Sequence, residues 1–187
     1  MGMLAGGLAM AACGVDAPRP EAPALAAAPR LAPTAVQPSA IANCGFANFS
    51  AAALARINQA RAAGANCRSA GRFASARPLV WSNRLAQVAA QHTRDMAANN
   101  FFSHTGRDGR NQRQRIDAAG YVWSSIGENI DAGSTSVNDA IESWMASDGH
   151  CANVMSPAFT EVGVACVKGG SGNTYETYWT MEMAKPR

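Results

Sequence analysis

From Ile41 onward, apolar residues recur at helical spacing, and towards the C-terminus the pattern changes to runs rich in β-branched and aromatic residues. Ser50 is placed to cap a helix through about Ala63, with Leu54 and Ile57 inward and Gly64 as its stop. Ser82 opens a second helix through about Asn99, where Leu85, Val88, Ala89, His92 and Met96 form one stripe. The pattern predicts a short third helix over 111–119, ended by Gly120. A fourth runs from Thr135 or Ser136 to about Ala146 and buries Val137, Ile141, Trp144 and Met145. Residues 161–167 and 174–183 read as strands joined by the hairpin segment Gly169-Gly-Ser-Gly-Asn173, and a further strand covers Ser125 to Ile130. Helices first and a hairpin last predict an α+β fold, with helices covering an antiparallel sheet.

The front of the chain has a different composition. Residues 1–12 are small and apolar and read as a signal peptide, too short for a membrane span. Residues 14–40 hold six of the nine prolines and no aromatic residue, too little apolar surface to offset the entropy of ordering. They read as a tether, with a stretched reach of roughly 80 Å at about 3.1 Å per residue. The remaining residues, 41–187, are long enough for one domain with a real core. Met10-Ala11-Ala12-Cys13-Gly14 resembles the lipobox of bacterial lipoproteins, which implies a lipid on Cys13 and an envelope anchor; simple cleavage and secretion is the alternative. With Cys13 lipidated, Cys44, Cys67, Cys151 and Cys166 can pair in three ways. The expected pairing is the sequence-local one, Cys44–Cys67 and Cys151–Cys166, each worth on the order of 3 kcal/mol by chain entropy.

Charge is unevenly divided. Between Arg56 and Arg115 there are eleven arginines against Asp95 and Asp108, a balance of +9. From Ile116 onward, Lys168, Lys185 and Arg187 face nine acids, a balance of −6. The expected reading is a solvated arginine-rich surface. No basic-aromatic interleaving or recognition motif points to nucleic acid.

Three segments are denser in specific residue types than a core needs: Phe101-Phe-Ser-His-Thr105, Gly127-Glu-Asn-Ile130 and Ser147-Asp-Gly-His-Cys-Ala-Asn-Val-Met155. His104 follows two aromatics at a helix exit, and His150 is expected on a loop beside Cys151. Glu128 stands in an otherwise apolar strand, so its charge must face a cleft or find a partner. His92 and the four tryptophans are expected in the core, with Asn129 and Asn153 satisfying backbone groups at turns.

The stretch from Leu79 to Met183 resembles the CAP family, named for cysteine-rich secretory proteins, antigen 5 and plant pathogenesis-related proteins. The resemblance rests on Leu79-Val-Trp-Ser, Phe102-Ser-His-Thr, Gly127-Glu-Asn-Ile, Trp144-Met-Ala-Ser, Gly149-His-Cys-Ala-Asn-Val-Met and Phe159-Thr-Glu-Val-Gly-Val, in the family's order. It implies a three-layer α-β-α sandwich around an antiparallel sheet. In many members a cleft holds two His and two acids, and some bind a divalent metal there. His104, Glu128 and His150 match three of the four positions. The second Glu is missing, and Ser147 and Asp148 stand in its neighbourhood as possible auxiliaries. Zinc held by His104 and His150 with Glu128 is one expectation, and a hydrogen-bonded trio that buttresses the cleft is the other.

A Ser-His-Glu hydrolase can be drawn with Ser103 or Ser147, yet Gly-x-Ser-x-Gly and His-Glu-x-x-His are both absent. No catalytic residue is therefore assigned. The expected function is a secreted or envelope-anchored binding module whose partner is a lipid, a wall polymer or a protein. The alternatives are a metal-assisted hydrolase acting on peptide or wall polymer, and a structural envelope protein.

Overall fold

The computed structural model describes residues 42–187, so the signal peptide, Cys13 and the tether lie outside the described residues. Helix α1 spans Phe49–Ala63. A two-stranded ribbon follows, β1 at Ala65–Asn66 and β2 at Arg72–Phe73, around a 3-10 turn at Arg68–Ala70. Next come β3 at Val80–Trp81, α2 at Asn83–Asn99, α3 at Gln112–Ala118 and β4 at Trp123–Ala132. The chain then forms α4 at Val137–Met145, α5 at Asp148–Met155, and the hairpin of β5 at Glu161–Lys168 and β6 at Thr177–Pro186. The main sheet has the order β3-β5-β6-β4. Its three long strands are antiparallel as expected, but the short edge strand β3 joins β5 in parallel, because α2 carries the chain away from its end.

Both faces of this sheet are covered, giving the three layers. On β6, Trp179, Met181 and Met183 join Val162 and Val164 of β5 in a core that also contains Ile57 of α1 and Ile141 and Trp144 of α4. The alternate residues of β6 face the other layer, where Tyr178 packs with Met96 of α2 and Ala184 with Leu85 and Val88. The expected stripe of α2 is buried along its whole length, because apolar residues three and four apart share one helix face. Ser136, one of the two starts expected for α4, caps it, whereas α1 starts from Asn48 in a left-handed conformation and Ser50 lies inside the helix.

Helix α2 lies almost on the backbone of β5. A Cβ added at Gly163 would sit 2.0 Å from Ala86 N and 2.4 Å from Leu85 C. Backbone on both sides cannot yield as a rotamer can, so Gly163→Ala is expected to destabilise the domain by about 3 kcal/mol, read from urea unfolding midpoints.

The cysteines pair across the fold, Cys44–Cys166 and Cys67–Cys151, and not locally as Cys44–Cys67 and Cys151–Cys166. The cause is tertiary. Residues 42–44 run alongside β5, with Asn43 bridged to Cys166, while Cys67 of the ribbon meets the middle of α5. Arg61 adds a further tie: its buried guanidinium donates to the carbonyls of Arg77, Val154 and Ser156, joining α1 to the C-terminal end of α5. Burial lowers its pKa, and the partial negative charge at that helix end supports the cation. No helix among the described residues is long and apolar enough to cross a membrane.

Candidate functional site

Strand β4 is the edge of the sheet next to β6, and in their register Glu128 stands directly beside Glu182. Both side chains lie on the face covered by α2 and α3. There Arg115, near the end of α3, donates from Nη2 to Glu128 Oε2 at 2.5 Å, with both side chains almost fully buried. The other carboxylate oxygen, Oε1, accepts from His104 Nδ1 at 2.7 Å. Because a carboxylate only accepts, this bond fixes the proton on Nδ1 of His104 and leaves Nε2 facing outward. The His104 side chain is 56% exposed against 3% for Glu128, so a buried anion orients an exposed imidazole. Arg115 also donates from Nη1 to the carbonyls of His104 and Arg110, which holds the intervening loop in place.

Glu182 is fully buried, and its Oε2 accepts from Gln112 Nε2 at 2.8 Å. No protein donor reaches its Oε1, and the two carboxyl groups share a hydrogen bond. Burial, then the charge of Glu128, push Glu182 well above the usual carboxyl range, so it keeps its proton and donates to Glu128. Burial alone pushes Glu128 upward. The hydrogen bonds from His104 and Glu182 and the charge of Arg115 outweigh it, leaving Glu128 below its ordinary value. The pair thus shares one proton, held on Glu182.

Opposite pH dependences follow. For Glu182, the folded state keeps a proton that the unfolded chain loses above about pH 4.3, so this contribution to stability declines as pH rises towards the folded value. For Glu128 the contribution is present at neutral pH and lost as pH falls through its lowered folded value. Glu182→Gln copies the protonated acid without a titrating group. It is expected to be more stable than wild type at pH 7–8 and nearly equal near pH 4, as measured by urea unfolding across that range.

His150 comes to the site from the other layer. It lies on α5, not on a loop as expected, and α5 is clamped to the edge strand by two asparagines. Asn129 Nδ2 donates to the His150 carbonyl at 3.0 Å, and Asn153 Nδ2 donates to Asn129 Oδ1 and to the Glu128 carbonyl. These asparagines do satisfy backbone groups, though on a strand and a helix and not at turns. Burial lowers the His150 pKa, and the nearby His104 lowers it further. The two imidazoles therefore share one neighbourhood at the sheet edge.

The auxiliaries do not join them. Asp148 accepts from the backbone N–H of Ser69 at 3.1 Å and from its hydroxyl, with Arg68 beyond, so its carboxylate ties α5 to the 3-10 turn. Ser147 is the residue before α5, and its side chain makes no capping bond. Ser103 Oγ accepts from the backbone of Thr105, and the Ser103 carbonyl accepts from His92 Nε2, placing His92 in the core as expected.

The metal implied by the family resemblance meets a poor donor set. Among the described residues no three His, Cys, Asp or Glu side chains are grouped to hold an ion. Glu128 spends one oxygen on a buried guanidinium and the other on His104 Nδ1, which leaves two imidazoles without a carboxylate ligand.

Arg115, Glu182 and Gln112 were not singled out from the sequence. Glu182 carried a signal, an acid at the centre of a strand buried on both faces, where the desolvation argument applied to Glu128 holds equally.

The family model for the cysteine-rich secretory protein family matches residues 54–183. Over 95 residues the chain is 30% identical to the uncharacterized protein YkwD of Bacillus subtilis (strain 168), covering 51% of this chain and 37% of that protein's length. An extracellular protein containing a SCP domain from Bacillus anthracis str. Ames has a similar structure, with a TM-score of 0.52 and 28% identity over 59% of this chain and 34% of that one. An outer surface protein of Borrelia burgdorferi shares the fold, with a TM-score of 0.54 and 18% identity over 60% of this chain and 80% of that one.

Proposed function

The chain is a member of the cysteine-rich secretory protein family, and from that premise we propose that it is an extracytoplasmic binding module, secreted or held at the envelope through Cys13. Its ligand, a lipid, a wall component or a protein, docks on the face that carries His104. The observation that supports this reading is the commitment of Glu128. With both oxygens engaged by Arg115 and His104, the carboxylate serves to hold one imidazole in a fixed tautomer at the surface. Beside it in sequence, Phe102 is 44% exposed and packs against Tyr175, which is 37% exposed. An exposed aromatic pair near an oriented acceptor is the composition of a recognition surface.

Native mass spectrometry of the purified full chain after incubation with envelope fractions tests this reading. The expected result is a retained ligand whose binding weakens at least tenfold in His104→Ala. Absence of retained ligand from every fraction would overturn it.

The short His104–Glu128 bond favours one second reading, a hydrolase in which His104 acts as general base on peptide or wall polymer. Turnover of labelled peptidoglycan by wild type, abolished in His104→Ala, is its signature.

A further inference from the structure

Two segments build the face that carries His104: the exit of α2, residues 96–106, and the turn between β5 and β6, residues 169–175. Phe102 on Tyr175, with ring centroids 5.9 Å apart, and the Thr174 N–H donating to Asn100 Oδ1 at 2.8 Å join them. Neither segment contains Lys, Arg, Asp or Glu. The residues that bound them are Asp95 with Arg107 and Lys168 with Glu176, one acid and one base each time. The face is therefore neutral, although the stretch from Arg56 to Arg115 is strongly basic.

The exposed ring pair has a fixed footing. Tyr175 rests edge-on against the buried Tyr178, with centroids 5.8 Å apart. The Tyr178 hydroxyl donates to Asn100 Oδ1 at 3.0 Å and accepts from Asn173 Nδ2, which also donates to the Ala97 carbonyl. These bonds tie the turn to α2 beneath the rings, so the pair loses little freedom when a ligand covers it. Uncommitted polar atoms surround it on exposed residues. Asn100 Nδ2 and the Thr174 hydroxyl have no partner among the described residues. Ser103 Oγ accepts from Thr105 and keeps its proton to donate, while His104 Nε2 accepts. Phe102 and His104 are two residues apart, at most about 7 Å between Cα atoms.

This combination selects among ligand classes. An anionic headgroup finds no cation in either segment, and two partly exposed rings provide no enclosed channel for an acyl chain. The rings also supply a small fraction of the roughly 800 Å² per partner that a stable protein interface buries. A neutral sugar matches on both counts. Its C–H face packs on the negative face of an aromatic ring, and its hydroxyls both donate and accept around the rim.

We infer that the ligand of the His104 face is a neutral oligosaccharide, the wall component among the classes named above, an inference that rests on that docking face. One sugar unit stacks on Phe102 and Tyr175. Hydroxyls of the same chain accept from Asn100 Nδ2 and donate to His104 Nε2.

The test is calorimetric titration of the full chain with two neutral probes, the tetramer of N-acetylglucosamine and the tetramer of glucose. Saturable binding of at least one is expected, weakened about tenfold or more in Phe102→Leu/Tyr175→Leu. Leucine keeps apolar contact and removes the ring face, so the loss reports stacking. His104→Ala is expected to weaken the same probe to a similar degree, and amide shifts on binding are expected at residues 100–105 and 173–175. No binding of either tetramer, or equal binding by wild type and the leucine pair, overturns the inference. If envelope fractions then still yield a lipid or protein whose retention needs His104, the docking face stands without the sugar. If no fraction yields a ligand, both fall.

Discussion

Arg115→Met is expected to destabilise the domain by about 3–5 kcal/mol, more than any other single substitution at the site. The change leaves Glu128 charged and buried with no cation, and it removes the donor from the His104 and Arg110 carbonyls. Breaking one partner of a buried pair is costly because the remaining charge has no solvent to turn to. Glu128 then titrates higher, and stability lost at neutral pH is partly recovered on mild acidification. The double variant Arg115→Met/Glu128→Gln removes both charges and is expected to regain most of the loss. Urea unfolding of wild type, both single variants and the double variant gives the coupling energy directly. Additive single-site losses would show that the pair does not act as a unit.

Removing the Cys67–Cys151 disulfide as the Cys67→Ala/Cys151→Ala pair is expected to cost about 4 kcal/mol. The bridge spans 84 residues, and closing a loop of that length in the unfolded chain is worth roughly 4–5 kcal/mol by chain entropy. A local Cys151–Cys166 loop would be worth roughly 3 kcal/mol on the same scale. The loss has a local part as well. Helix α5 has only eight residues, among them Gly149 and the modest helix formers Asp148, His150, Cys151, Asn153 and Val154, so it depends on its ties to the ribbon and the edge strand. Without the bridge, its N-terminal end keeps the Asp148–Ser69 contact, and the Asn129–Asn153 clamp holds its middle. Amide exchange around His150 is expected to rise more than exchange in α2. Non-reducing peptide mapping of wild type provides the companion check, with linked peptides carrying Cys44 with Cys166 and Cys67 with Cys151.

Local pattern was enough for much of the fold. The stripe of α2, the Ser136 cap of α4 and the β5–β6 hairpin all follow from periodicity and turn chemistry acting over a few residues. The disulfides were not legible, because loop entropy favours near neighbours while pairing is set by which elements the sheet order brings together. Helix α5 was hidden for a related reason: tertiary ties override its weak propensity. At the site, Glu128 was readable as a charge needing a partner, but the partner was not. Arg115 looks like one of eleven arginines in a basic stretch, and only the packing of α3 on the sheet turns it inward. Arg61 falls on the buried face of α1 with Ala53, Ile57 and Ala60, so a polar interruption of an apolar stripe was its sequence signal.

The arrangement places an exposed imidazole on a buried, fully engaged carboxylate, backed by an acid that holds the shared proton. The docking surface we propose here depends on Glu128 being committed inward and not free to ligate a metal. Titration of Zn²⁺ into metal-free full chain at neutral pH, with wild type against His104→Ala/His150→Ala, tests this most directly. The expected result is weak uptake of similar size by both proteins. Tight stoichiometric uptake by wild type that disappears in the double variant would contradict the account.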